Sequence, residues 1–91
     1  MMKVIQISED NHGFIGIAKD YKSALIFLYN NGWLKGSTEV WVGVHANPEY
    51  SRLDEVFGDN WFEKMLKWDI NSFNDYWDGS FVLNEVEVYE C

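Results

Sequence analysis

The sequence predicts an α+β fold: an antiparallel or mixed sheet of about four strands with helices packed on it, in the chain order β-β-α-β-α-α-β. Three observations carry this prediction. Apolar and polar residues alternate in KVIQIS at residues 3–8 and in NEVEVYE at 84–90, the period of a half-buried strand. Tyr21, Ala24, Leu25 and Leu28 recur at i, i+3, i+4 and i+7, the period of an amphipathic helix. Ser51, Asn60 and Ser72 each precede an acid by three residues, the spacing of a helix-opening capping box.

The elements follow in order. Ile5 and Ile7 lie in the first strand, the turn formers EDNHG follow, and FIGIA at 14–18 is a second apolar run. Two such runs separated by a turn read as a hairpin, with Gly13 suited to positive φ. Asp20 is the expected N-cap of the first helix, and Ile26, Phe27 and Tyr29 widen its apolar stripe. Gly32 is the natural stop, with Trp33 supplying the hydrophobic contact beyond it. EVWVGVH at 39–45 reads as a third strand, with Val40, Val42 and Val44 on its packed side.

Downstream, a short helix is expected from Ser51 to Phe57, stopping at Gly58. A second places Trp61, Met65 and Trp68 on one face. A third carries Phe73, Tyr76 and Trp77 and closes at Gly79. The last strand is Phe81 to Glu90. Phe81 and Leu83 have the opposite parity to Val86 and Val88, and one parity cannot bury all four, so a β-bulge is expected near Asn84. The first and last strands are expected to be neighbours, covered by the helix at 20–31.

With 91 residues, the surface-scaling rule buries about two thirds of the open chain's surface, enough for one core. A single domain over 1–91 is therefore expected. A composition 47% hydrophobic and 18% aromatic excludes a disordered chain. No run of 18 apolar residues is present, so no membrane span is expected. The opening MMKVIQISED lacks the basic and apolar regions of a secretory leader. One cysteine excludes an intramolecular disulfide framework and fits a reducing, cytoplasmic setting.

Charge is unevenly placed. Residues 1–45 hold four acids and four bases; residues 46–91 hold eleven acids and three bases, the whole net charge of −8. Beyond Lys67 come Asp69, Asp75, Asp78, Glu85, Glu87 and Glu90, with no base. Binding to a nucleic acid backbone needs the opposite sign, so no direct nucleic acid binding is expected. Acids interleaved with Tyr76 and Trp77 instead suit a basic protein surface, where Tyr and Trp act as anchors. With sixteen aromatics in a small core, Tyr50, Tyr76, Trp77 and Tyr89 are candidates for the surface.

The residues of catalysis are sparse. Cys91 is the final residue and sits beside Glu90, which raises a thiol pKa. The serines lie in no nucleophile elbow, and Gly13-Phe14-Ile15-Gly16 is too short and apolar for a phosphate loop. No enzyme activity and no cofactor are expected. The open alternative is a structural zinc: if the third and last strands end at one edge of the sheet, His45 and Cys91 meet there, with Glu49 or Asp54 completing the set.

The segments ISEDNHGFIGIAKDY, ALIFLYNNGW and FNDYWDGSFVLNEVEVYE resemble small acidic proteins of phages and prophages of Gram-positive bacteria, some of which act as anti-CRISPR proteins. The similarity spans Ile5 to Glu90. It implies a non-enzymatic inhibitor acting in the host bacterial cytoplasm; a monomer or small homo-oligomer is expected. Its partner would be a type II RNA-guided nuclease, whose DNA binding or cleavage it blocks. A nuclease channel is lined with Lys and Arg, which an acidic surface complements, by mimicking DNA or by locking a mobile lobe. The alternatives are a regulatory protein with another basic partner and a metal-stabilised structural module.

Overall fold

A computed structural model describes residues 2–42 and 49–88. Through them run β1 (Met2–Glu9), β2 (Gly13–Ala18), α1 (Tyr21–Asn30), β3 (Glu39–Val42), β4 (Glu49–Arg52), α2 (Leu53–Phe57), α3 (Trp61–Leu66), α4 (Ile70–Trp77) and β5 (Phe81–Val88). No helix among these is long and apolar enough to cross a membrane.

The alternation of β1 is used on both edges. β1 is the middle strand of an antiparallel sheet ordered β2-β1-β5, so the first and last strands are neighbours as expected. Directly paired residues share a face. Ile5 and Ile7 therefore join Ala18, Phe81 and Leu83 on the buried side. The other side carries Met2, Phe14, Ile17, Val82 and Val88, all exposed.

The bulge expected near Asn84 is not there. The β1–β5 register runs unbroken from Met2↔Val88 to Glu9↔Phe81. Val86 and Val88 are not drawn into the core; they pair with Val4 and Met2 on the open side, so β5 has no parity conflict to resolve. The irregularity lies between β1 and β2, where Ile7 pairs with Gly16 and Ser8 with Phe14, leaving Ile15 as the extra residue. At the hairpin turn Gly13 takes φ 70°.

The helices cover the buried side. Asp20 caps α1 by accepting the Ser23 N–H at 2.8 Å, and Ala24, Leu25 and Leu28 point into the core. The helix stops as the sequence indicates. Gly32 takes φ 78°, and the Trp33 N–H returns to the Leu28 carbonyl at 2.9 Å. The Tyr21 hydroxyl donates to the Met65 carbonyl at 2.7 Å, tying α1 to the end of α3. Leu34, Leu53, Trp61, Met65, Phe73 and Trp77 complete one continuous core.

Two helix starts are displaced from the expected boxes. α2 begins after Arg52 rather than Ser51, with Glu55 accepting the Arg52 N–H at 3.4 Å. α4 begins after Asp69, whose carboxylate accepts the Ser72 N–H at 2.8 Å; Ser72 is the capped residue, not the cap. At α4, Asp caps at least as well as Ser, so the earlier residue wins.

The expected third strand forms over Glu39–Val42 but not in the main sheet. It pairs with β4, from Glu39↔Arg52 to Val42↔Glu49, as a separate hairpin. Residues 43–45 of that expected strand lie outside the described residues.

Candidate partner-binding surface

α4 and β5 form one hairpin-like unit. The chain leaves α4 through Asp78 in the left-handed conformation (φ 47°, ψ 49°), then Gly79 at φ 92°. The Ser80 N–H closes the turn on the Trp77 carbonyl at 3.0 Å. Asn74 fastens helix to strand: its Nδ2 donates to the Leu83 carbonyl at 2.9 Å, and its Oδ1 accepts the Leu83 N–H at 2.8 Å. One side-chain amide thus satisfies both backbone groups of Leu83, as a neighbouring strand would.

The expected charged set is carried largely by this unit. Asp69, Asp75, Asp78, Glu85 and Glu87 are all exposed. They do not form one cluster. Asp69 and Asp78 cap opposite ends of α4, about 13 Å apart by helix rise. Glu85 and Glu87 share one side of β5, about 6.7 Å apart by strand rise. Among the described residues only Glu85 has an ion-pair partner, Lys3 at 3.5 Å, and both side chains are about half exposed. Glu90 lies outside the described residues.

The electrostatics of α4 are uneven. Asp69 stands at the positive end of the helix, and hydrogen bonds from Ser72 hold its carboxyl below the usual carboxylate range. A lowered folded pKa stabilises the fold above the unfolded value of about 3.9, and that contribution is lost as pH falls through the folded value. Asp75 and Asp78 stand at the other end, where the helix dipole disfavours acids, and no base lies in the last turn. Asp78 is also the one described non-glycine residue with positive φ. Asp78→Gly is therefore expected to raise stability by about 0.5–1 kcal/mol, read as a higher urea midpoint. An unchanged or lower midpoint would show that Asp78 is held by contacts that outweigh its backbone strain.

The expectation of exposed aromatics on this unit is corrected. Trp77 is only 5% exposed. Its ring packs edge-on to Phe81 at 5.0 Å and near Phe73 at 5.9 Å, so it is a core residue and not an anchor offered to a partner. The i, i+4 spacing of Phe73 and Trp77 was the available signal, since it puts both on one helix face. Tyr76 is half-buried between Phe57 and Trp68, and burial pushes its phenol up. Its buried hydroxyl has no hydrogen-bond partner among the described residues. Tyr76→Phe is expected to raise the urea midpoint, by about 0.5–1 kcal/mol of stability, because it deletes an unpaired buried group. Tyr50 and Tyr89 have no described side chain.

The zinc alternative rested on His45 and Cys91, and both lie outside the described residues. Its geometric premise is overturned, because β3 is not in the sheet that contains β5. Of the completing carboxylates, Asp54 is engaged by Arg52 Nη2 at 2.6 Å. Among the described residues no group of three or more His, Cys, Asp or Glu side chains is placed to hold a metal ion.

Two open grooves border α3. One, of about 660 Å³, is lined by Tyr29, Trp61 and Phe62 together with Asp59, Glu63 and Lys35. The other, of about 820 Å³, lies between Tyr21, Leu66 and Trp68. Among the described residues no Ser, Cys or His lines either. Comparison of the chain with family models, curated proteins and solved structures returned no match.

Proposed function

We propose that this protein is a non-catalytic inhibitor that docks its acidic α4–β5 unit onto a basic protein surface. The observation that carries the proposal is the pair Asp75 and Asp78. Both sit at the disfavoured end of α4, and neither has a cationic partner among the described residues. A Lys- or Arg-rich partner relieves that repulsion on binding, so the arrangement stores affinity for such a surface. Glu87 adds a separate acid towards the far end of β5, with Lys3 opposite it in the β1–β5 register. The resemblance to phage proteins selects the first partner to test, the effector nuclease of a type II CRISPR system, with blocked DNA binding or cleavage as the outcome. The localisation that goes with this reading is the host cytoplasm.

Association rates at two salt concentrations test it. Fast association at low salt, slowing markedly at higher salt, is the expected parent behaviour, because steering is screened beyond a Debye length of about 8 Å at physiological ionic strength. Reversing Glu85 and Glu87 to Lys is expected to lower the on-rate about tenfold at low salt. Glu9 is unsuited to a control reversal, since its carboxylate accepts the Asn11 N–H at 3.1 Å and holds the His12 ring. The control is Asp10→Lys with Glu39→Lys, both exposed. Each double mutant has net charge −4, from −8 plus 2 per reversal, so net charge is matched. Equal losses in the two mutants, or no salt dependence, would sink the proposed surface. Capture of a different basic protein, with no binding to the nuclease, would keep the surface and replace the partner.

A further inference from the structure

We infer that the distal half of β5 is a docking edge, at which an extended basic segment of the partner adds to the sheet as a fourth strand. This deepens the acidic-surface reading and rests on it for the partner's charge.

Among the described residues β5 is at the edge of the sheet, with β1 as its one neighbour. Hydrogen bonding in an antiparallel pair alternates along the strand. The Asp10 N–H donates to the Ser80 carbonyl at 3.0 Å, so even-numbered residues of β5 face β1 and odd-numbered ones face outward. Leu83 obeys the rule, sending both backbone groups away from β1 to Asn74. Asn74 therefore closes the edge at Leu83 alone. Beyond it, Glu85 and Glu87 turn their N–H and C=O groups outward, and no hydrogen bond reaches them from that side among the described residues. Two residues of open ladder, two apart, are what an added strand pairs with.

Charge and pattern specify the occupant. Glu85 and Glu87 share the side of Leu83 but remain exposed, while Val86 and Val88 lie on the opposite side. An arriving strand thus meets carboxylates on one side and valines on the other. Alternating Lys and apolar residues complement both. A second copy of this chain does not: antiparallel pairing about Val86 sets Glu85 against Glu87, and like charges directly opposite are unfavourable. Lys3 is the one described cation near Glu85 and is exposed, so its pairing gives way readily to an incoming Lys.

The probes are three peptides: alternating Lys and Val, the same with two ladder amides N-methylated, and the same with Glu for Lys. The protein variants are Glu87→Pro and Glu87→Gln. Proline at 87 removes an outward N–H while leaving the bonds to β1, a position where edge strands tolerate it. The expected results are binding of the Lys–Val peptide and slowed hydrogen exchange at the Glu85 and Glu87 amides. N-methylation or Glu87→Pro should weaken binding about tenfold or more, and Glu87→Gln about threefold or less. The Glu–Val peptide should not bind. Equal binding of the N-methylated peptide overturns strand addition while the acidic-surface reading stands. Equal binding of the Glu–Val peptide overturns the basic occupant, and the acidic-surface reading with it. No binding of the Lys–Val peptide overturns the proposal. So does a concentration-dependent dimer abolished by Glu87→Pro, which makes a second copy the occupant. The N-methylated peptide reads the parent protein, so a Glu87→Pro chain that fails to fold leaves the test decisive.

Discussion

Phe73→Ala is expected to lower stability by about 3–5 kcal/mol, the range for removing a fully buried aromatic ring. Phe73 is fully buried, with Tyr21 of α1 edge-on at 6.1 Å and Trp77 at 5.9 Å. Its ring therefore joins two helices across the core. α4 has eight residues, too few to hold its shape without tertiary packing. Losing Phe73 leaves Trp77, the packing of Tyr76 on Phe57 and Trp68, and the Asn74 clamp as its main attachments. A domain of this size has about 5–14 kcal/mol in all, so the variant approaches the unfolding threshold. Urea denaturation checks it: a loss below about 1 kcal/mol would show that the ring's site collapses readily and that α4 is held by other means. Before global unfolding, this variant should also slow association with a basic partner, because Asp75 and Asp78 move with α4.

Leu25→Ala is expected to cost about 2–5 kcal/mol. Leu25 is fully buried on α1 and belongs to the same core cluster as Ile5, Ile7 and Leu83. The smaller lower bound reflects the side chain removed: an aliphatic group leaves a smaller cavity than a phenyl ring. A measured loss below about 0.5 kcal/mol would contradict the packing of α1 on the sheet. Unlike Phe73→Ala, this substitution lies outside the acidic unit, so at equal fraction folded its association rate should match the parent's. The contrast separates general loss of stability from loss of the docking surface.

The elements whose signals are local were legible in the sequence. The cap at Asp20, the stop at Gly32 and the intervening apolar stripe define α1 without reference to the rest of the chain. The first hairpin and the short downstream helices are local in the same sense. Pairing partners are not local. Val40 and Val42 alternate as a strand should, but alternation does not encode which strand lies beside them, and β4 carries only EYSR, with no apolar period. β5 is ambiguous for a different reason. It is apolar on both parities, so burial alone cannot choose its face; pairing with β1 chooses Phe81 and Leu83.

The candidate surface divides the same way. The run of acids without a base is a property of sequence, and the exposure of Asp69, Asp75, Asp78, Glu85 and Glu87 agrees with it. Their distribution over two ends of a helix and one strand is a property of the turn at Asp78 and Gly79. The Asn74 clamp left no trace in the sequence, because nothing distinguishes an asparagine that bonds a strand nine residues away from one that faces water. For Trp77 composition and spacing point opposite ways: sixteen aromatics suggest some at the surface, while the i, i+4 relation to Phe73 puts it on the buried face of α4.

The position of β1 between β2 and β5 has a consequence for synthesis. β2 follows β1 after a short turn, but 71 residues separate Glu9 from Phe81. At about 5–20 residues per second, a ribosome takes roughly 4–14 s to bridge that interval. Throughout it, the central strand has one neighbour and a vacant side, and the nascent chain presents Ile5 and Ile7 on a half-built sheet. Exposed strand edges of this kind recruit other extended chains. The period of greatest susceptibility to misassociation is therefore set by the order of the strands along the chain, and stronger packing in the finished molecule does not shorten it.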